Sequence, residues 1–228
     1  MVSYLDLKDS VVDSLLSDES IQLDLSGGIV SKRIPKHKTP SLTDDVFETP
    51  DDLYYPIISD VRLLGEEPPE LDVFAMHDRG DGKTNSKCIY YLTEEYDSLS
   101  NDWLIPDTMR VPSSVWINDL HSRHEDCMVQ AVSQYEKYGF TMVYLIPSNT
   151  RRTRYWKRLI EPYRFGGNPK YRDIPKHIHN FPVDGTVTFL KNGKPTVNED
   201  PTSDNFGRPQ TSRNSYEVLV WTRKKSTI

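Results

Sequence analysis

Apolar residues recur at helical spacing in two segments of the chain, and two further segments are also predicted to be helical. Residues 4–18 carry leucines and valines at roughly helical intervals, which predicts a short amphipathic helix. A second helix is predicted after Thr49, a residue type that caps helices, with Pro50 at its first position and two aspartates in its first turn. Residues 125–138 place apolar side chains on one face and are followed by a glycine, a common helix terminator. The fourth predicted helix spans residues 150–160.

Short apolar runs between these helices predict β-strands. They are LDVFAM at 71–76, KCIYYL at 87–92, SVWI at 114–117, FTMVYLIP at 140–147, GTVTFL at 185–190 and YEVLVW at 216–221. Strands that alternate with helices indicate an α/β fold with a mostly parallel sheet. The turn-forming pair Asn192-Gly193 follows the fifth run, so we expect the sheet to be closed by a C-terminal β-hairpin.

A stretch rich in Gly, Pro, Ser, Thr and Lys separates the first predicted helix from the rest of the chain. We therefore expect an N-terminal helix and linker arm over residues 1–45 and one folded domain over residues 46–228. The composition, 36% apolar and 27% charged, is typical of a globular protein. No apolar run approaches the roughly 20 residues of a membrane span, and the first residues do not resemble a signal peptide. We expect a cytoplasmic location, inside the cell and without membrane contact.

Positive charge is concentrated in one segment of an acidic chain. The net charge is -6, yet residues 151–180 carry nine Lys/Arg against two Asp/Glu. Such a block can be an ordinary solvated surface or a strip that contacts phosphates. Aromatic residues interleave with these cations, and aromatic side chains can stack on bases. We expect residues 151–184 to bind nucleic acid, with the main contacts from Arg151, Arg152, Arg154, Lys157 and Arg158.

Distinctive residues follow several predicted strands, at the positions where open α/β sheets bind ligands. The chain contains, in order, ETP at 48–50, LDVFA at 71–75, YYLTEEYDSLSNDW at 90–103, VWIND at 115–119 and LIPSNT at 145–150. These motifs resemble those of the phage-type DNA N(6)-adenine methyltransferases. That family has a TP element, an LDVAA-like strand, an acidic segment ending in Trp, a VWxNPPY strand end and an LxP strand end. The resemblance covers roughly residues 46–160 and implies a Rossmann-like fold that uses S-adenosylmethionine (SAM).

The resemblance also implies where the cofactor binds. SAM would lie across the Thr49-Pro50 turn and the strand end from Asp72 to Ala75, with Asp97 as an acidic partner nearby. A carboxylate at a strand end can accept strong hydrogen bonds from the ammonium group or the ribose hydroxyls of the cofactor. We expect these groups to line one SAM-sized cleft near Asn118. Two simpler roles stay open, since Thr49 could merely cap a helix and Asp72 could form a cap or a loop ion pair.

The expected catalytic element departs from the pattern of the family. Asn118, Asp119, Leu120 and His121 stand where the family has Asn or Asp, two prolines and an aromatic residue. Asn118 retains the acceptor for the target amine, and His121 can still stack on a flipped base. Loss of both prolines leaves the backbone less rigid, and Asp119 adds a negative charge beside a site that should attract DNA.

Two functions are compatible with these residues. The first is SAM-dependent methylation of the exocyclic amine of adenine in double-stranded DNA, by an enzyme of a virus or mobile element. The second is a catalytically inactive methyltransferase fold that binds DNA or protein, which the altered element favours. The spacing of His121, His124 and Cys127 also suits metal ligands, but no second pair nearby completes a tetrahedral set, so we expect no metal. The oligomeric state and the target sequence stay open.

Overall fold

The computed structural model describes residues 47–76, 82–119, 122–191, 193–198, 201–210, 212 and 215–224. The predicted arm of residues 1–45, the catalytic candidates Leu120 and His121, and Asn192 of the predicted turn lie outside the described residues. Within the described part, no helix is both long and apolar enough to cross a membrane.

Two α-helices and eight β-strands form the regular structure of the described residues. The helices are α1 (Asp51–Leu63) and α2 (His124–Tyr138). The strands are β1 (Leu71–Asp72), β2 (Tyr90–Tyr91), β3 (Ser114–Asn118), β4 (Thr141–Pro147), β5 (Ile178–Pro182), β6 (Leu190–Lys191), β7 (Lys194–Pro195) and β8 (Tyr216–Trp221). Short 3-10 helices span Glu94–Tyr96, Ser148–Arg152, Glu161–Tyr163 and Pro169–Tyr171, and a π-helical turn spans Trp156–Ile160.

Six of the strands form one mixed sheet in the order β2-β1-β3-β4-β8-β5. The first four strands of this order are parallel to one another, whereas β8 runs antiparallel to both β4 and β5. Strands β2 and β3 lie on opposite sides of β1, so the direction of strand order reverses there. The predicted α/β fold with a mostly parallel sheet is therefore confirmed, and it is consistent with a methyltransferase-like fold.

The side chains of the central strands alternate between two core layers. On β4, Met142 and Tyr144 face one layer, whereas Val143 and Leu145 face the other, as the two-residue period of a strand requires. The Tyr144 layer packs against α2, and the Val143 layer packs against α1. The helix side chains involved are Cys127, Met128, Ala131 and Tyr135 in α2, and Tyr54, Ile57, Ile58 and Val61 in α1. Because the helices cover the faces of the sheet, its carboxyl edge is left for a site.

The structure corrects three predictions about individual elements. The predicted helix of residues 150–160 is a 3-10 helix followed by a short helical segment with a π turn. Residues 178–182, for which no strand was predicted, form edge strand β5. The expected hairpin does not close the main sheet, because β8 lies between β4 and β5 while β6 and β7 pair separately. The pairings of β8 with β4 and β5 join segments far apart in sequence, which local patterns do not reveal.

Candidate active site at the carboxyl edge

The carboxyl ends of β1 and β3 meet at the point where the strand order reverses. The two strands are parallel with Asp72 paired to Trp116, so Asn118 lies at the same edge as the residues that follow Asp72. Open α/β sheets bind ligands in the crevice outside such a switch point. This edge is therefore the candidate active site.

A pocket at this edge brings together three of the predicted site residues. Thr49, Asp72 and Asn118 line it, along with Phe47, Phe74, Asn85, Lys87 and Trp116. Its volume is about 10 Å³, which is close to the room that one water molecule needs. The expected side chains thus share one pocket, but it is far smaller than the SAM-sized cleft that we predicted, since ligand pockets typically measure about 300 to 1,000 Å³.

A larger cavity of about 290 Å³ lies between α1 and strands β5 and β8. None of the predicted site residues lines it. Its wall is mainly apolar and includes three exposed carboxylates, those of Asp52, Asp60 and Asp184. These carboxylates would repel DNA phosphates, and the cavity lacks the Thr49, Asp72 and Asn118 side chains that the family resemblance implies for the cofactor and the target. We therefore assign the candidate site by its chemistry and its place in the sheet, and not by cavity size.

The hydroxyl group of Thr49 is buried and has no hydrogen-bond partner. Thr49 is 2% exposed, and its Oγ1 makes no hydrogen bond within the described part of the protein. The predicted capping role is wrong, because α1 begins at Asp51 with Pro50 in the cap position and no side-chain cap bond. An unsatisfied buried hydroxyl costs about 1 to 3 kcal/mol. A ligand that bonds this hydroxyl would recover that energy.

Asp72 presents a buried carboxyl group to the same pocket. The residue is 5% exposed, and its Oδ1 accepts a hydrogen bond from the backbone N–H of Phe74 at 3.2 Å. Burial disfavours the charged form and raises the pKa of Asp72 to about 7, against the opposing effects of nearby donors and the Lys87 ammonium group. The carboxyl group therefore titrates near neutral pH. A cationic ligand group beside it would favour the ionised form.

Two polar residues of the pocket, Asn85 and Lys87, were not predicted from the sequence. Asn85 is 7% exposed, and its Oδ1 accepts a hydrogen bond from the backbone N–H of Met76 at 2.6 Å. The Lys87 ammonium group lies 3.0 Å from a Glu48 carboxylate oxygen and 2.6 Å from one of Asp51. Our prediction considered residues that follow strands, whereas these two precede β2 in a segment that returns to the end of β1. The polar run TNSK at 84–87, which overlaps the start of the predicted strand at Lys87, was the available signal.

Asn118 is held at the end of β3 by its amide nitrogen. Its Nδ2 donates a hydrogen bond to the backbone carbonyl of Phe47 at 2.5 Å, and the residue is 7% exposed. This bond fixes which end of the amide is engaged, so the side-chain oxygen Oδ1 is the end left as an acceptor. The bond also connects β3 to the segment that enters α1. An acceptor at this position is what recognition of an amine requires.

The carboxylate of Asp119 is buried beneath the site and does not line the pocket. It accepts hydrogen bonds from the Tyr144 hydroxyl and from Nδ1 of His124, which lies 2.7 and 2.8 Å from its two oxygens. Burial, followed by the charge of Asp119, raises the pKa of Tyr144, so the hydroxyl keeps its proton and donates. The negative charge that we expected beside the site is therefore buried and bonded to donors. The metal interpretation is also weakened, since Cys127 packs in the core.

The remaining predicted cofactor residues lie around the pocket or away from it. Pro50 precedes α1 directly beside Thr49. Ala75 is buried and donates its backbone N–H to the carbonyl of Leu92 at 3.0 Å. Asp97 is exposed and does not line the pocket. It occupies a left-handed turn with φ of 51°, and its backbone carbonyl accepts hydrogen bonds from Ser100 and Asn101.

The basic segment begins at the same edge of the sheet. β4 is paired in parallel with β3 and ends at Pro147, and the 3-10 helix of Ser148–Arg152 follows directly. The five predicted cations, Arg151, Arg152, Arg154, Lys157 and Arg158, are all exposed. Arg151 is already engaged, because its Nε lies 2.5 Å from a Glu217 carboxylate oxygen. The segment is anchored by buried Trp156 and Ile160, which leaves its cations on the surface.

Comparison with known proteins gives one match. A family model described as DNA N-6-adenine-methyltransferase (Dam) matches residues 36–162, which is more than half of the chain. No curated protein and no solved structure among those compared matches the chain. The matched range contains Thr49, Asp72 and Asn118 and ends within the basic segment. The chain therefore belongs to the DNA N-6-adenine-methyltransferase (Dam) family.

Proposed function

We propose that this protein transfers a methyl group from SAM to the exocyclic amine of adenine in double-stranded DNA. Its family supports adenine methylation in general. The observation that carries the proposal is the meeting of Thr49, Asp72 and Asn118 in one pocket at the switch point of the sheet. The strand order also accords with a Rossmann-like methyltransferase domain over residues 46–228, to which residues 1–45 add an arm.

The polar groups of the pocket suit SAM. The unpartnered hydroxyl of Thr49 and the carboxyl group of Asp72 would bond the ribose hydroxyls or the ammonium group, with Pro50 and Ala75 beside them. When bound, SAM supplies a methyl group on a positively charged sulfur. Positive charge near Asp72 favours its carboxylate form. Entry of such a ligand requires the walls of the pocket, whose volume is about 10 Å³, to separate.

Asn118 would receive the target amine. Its Nδ2 is bound to the Phe47 carbonyl, so Oδ1 accepts a hydrogen bond from the amine and leaves the nitrogen lone pair free for the methyl group. The target base must leave the duplex stack to reach such a pocket. We assign the stacking contact with the flipped base to His121, which lies outside the described residues.

The proposed function predicts that the purified protein binds SAM and transfers its methyl group to adenine in mixed-sequence duplex DNA. Titration calorimetry with SAM should give one site per chain, and labelled methyl groups should appear as N6-methyladenine after digestion of the DNA. DNA whose adenines are already methylated serves as the control and should accept no label. SAM binding without transfer would support the inactive binding module instead, and the absence of both would overturn the methyltransferase proposal.

The exposed cations of the basic segment should contact DNA phosphates. Replacement of Arg152, Arg154 and Lys157 by Ala should weaken DNA binding and make its dependence on salt shallower. The slope of log K against log salt concentration changes by about 0.9 for each phosphate that the protein no longer neutralises. Fluorescence anisotropy with labelled duplex DNA at several salt concentrations measures both effects.

A matched control removes three exposed cations from the opposite edge of the sheet. Arg62 and Lys137 lie in the last turns of α1 and α2, and Arg223 follows β8. Their replacement by Ala changes the net charge equally, so it should have a much smaller effect on the slope. Equal effects of the two triple variants would contradict a specific role for the basic segment.

A further inference from the structure

Asp119 is a buried charged residue that directly follows the proposed amine acceptor. Its side chain is 1% exposed. A carboxylate at such a position is costly unless hydrogen-bond donors surround it. The chain nevertheless has this residue next to Asn118, at the end of the strand that carries the proposed target contact. The contacts of Asp119 can therefore affect the position of Asn118.

Three different elements meet at this carboxylate. Asp119 follows β3, Tyr144 lies in the middle of β4, and His124 is the first residue of α2. The Tyr144 hydroxyl donates to one oxygen, and His124 Nδ1 lies within 2.8 Å of both. The N-terminus of a helix also favours a nearby negative charge. We call Asp119, His124 and Tyr144 the Asp119 cluster.

We propose that Asp119 is a positioning residue, which holds the backbone after Asn118 by bonding it to β4 and α2. This inference rests on the proposed function. In the proposed function, the Asn118 side-chain oxygen must stand at a fixed position to accept from the target amine. The Asp119 cluster restrains the peptide that joins Asn118 to Asp119, because the carboxylate is bonded to two packed elements. The rigidity of this peptide thus comes from buried hydrogen bonds.

The decisive variant replaces both ends of one buried bond with apolar groups. Asp119→Leu combined with Tyr144→Phe removes the buried carboxylate together with the hydroxyl that donates to it, and His124, which is 21% exposed, can bond water instead. Such paired replacements can be nearly neutral for stability. The double variant should therefore unfold near the wild-type temperature and bind SAM unchanged. Its kcat for methyl transfer should fall about tenfold to a hundredfold, because displacements near 1 Å have effects of that size.

Two single variants separate positioning from general stability. Asp119→Asn retains an acceptor for Tyr144 and should recover most of the kcat that the double variant loses. Tyr135→Phe removes another buried hydroxyl from the same core, one that donates to the Thr222 carbonyl at 2.8 Å near the far end of α2. It should lower the unfolding temperature without changing kcat. Together they show whether the loss of kcat is caused by removal of the Asp119 cluster or by removal of any hydrogen bond in the core.

Each outcome of these assays decides the proposal. A kcat of the folded double variant within twofold of wild type would overturn the positioning role and leave the proposed function intact. A loss of kcat that Asp119→Asn fails to recover, or that Tyr135→Phe reproduces, would also overturn it. If the wild type transfers no methyl group, both the proposed function and the positioning role are overturned. The wild-type assay by itself therefore distinguishes failure of the proposed function from failure of the positioning role alone.

Discussion

Replacement of Asp72 by Asn is expected to stabilise the free protein at pH 8 and to remove most of its affinity for SAM. Burial raises the pKa of Asp72 from its ordinary value of 3.8 to about 7. Folding therefore has to bury a charge at pH 8, and this costs on the order of 4 kcal/mol by linkage, at about 1.36 kcal/mol per pKa unit. Asn keeps an acceptor for the Phe74 amide and avoids that cost.

The pH dependence of this effect has a definite sign. A carboxyl group whose pKa is raised on folding binds its proton more tightly in the folded state, so stability falls as the pH rises from about 4 to about 7. The stability difference between Asp72→Asn and wild type should be small at pH 4, should grow up to pH 7 and should then level off. Urea unfolding at a series of pH values measures it. Asp60→Asn, the same change at an exposed position of α1, is the control and should show no such trend.

Asp72→Asn should weaken SAM binding, although it stabilises the free protein. The proposed charged hydrogen bonds to Asp72 contribute about 1.5 to 3 kcal/mol, so Asp72→Asn should weaken SAM binding about ten- to a hundredfold. Wild-type affinity should rise with pH up to about 7, because the ligand requires the ionised carboxylate. If Asp72→Asn binds SAM as tightly as wild type, Asp72 does not belong to the cofactor site.

Replacement of Asn118 by Ala is expected to lower the rate of methyl transfer about a hundred- to a thousandfold. The loss of one preorganised polar partner at a reacting centre typically has this effect, equivalent to roughly 2.7 to 4 kcal/mol. SAM binding should be retained, since the side chain acts on the target amine. Single-turnover methylation of mixed-sequence DNA measures the rate of transfer, and calorimetry measures SAM binding separately.

Asn118→Asp tests which end of the amide matters. It keeps the oxygen acceptor but loses the bond that Nδ2 donates to the Phe47 carbonyl, so it should lose less activity than Asn118→Ala. Asn101→Ala controls for the loss of an asparagine whose amide bonds backbone carbonyls in a loop outside the pocket. Both variants lose the bond to Phe47, so a loss in Asn118→Asp equal to or greater than that in Asn118→Ala would show that the residue anchors the Phe47 segment and does not recognise the amine.

The residues that replace the two prolines of the family after Asn118 show why local patterns predict only part of this site. Loss of those prolines suggested a less rigid backbone and an unfavourable charge. In the folded protein Asp119 is buried and bonded to Tyr144 and His124. These partners come from the next strand and the next helix, and no rule about neighbouring residues predicts that they meet. Replacement of Asp119 by proline would remove those bonds.

Helices α1 and α2, strands β3, β4 and β8, and the α/β class followed from apolar patterns and helix-end signals, because each of these signals lies within a single segment. The residues after β1 and β3 were also found in this way, since parallel strands place their carboxyl ends at one edge. Tertiary structure alone decided the order of β8 and β5, the unpartnered hydroxyl of Thr49, and the place of Asn85 and Lys87 in the pocket. Those features depend on which distant segments pack together, and the free energy of that packing is a property of the whole core that no single segment contains.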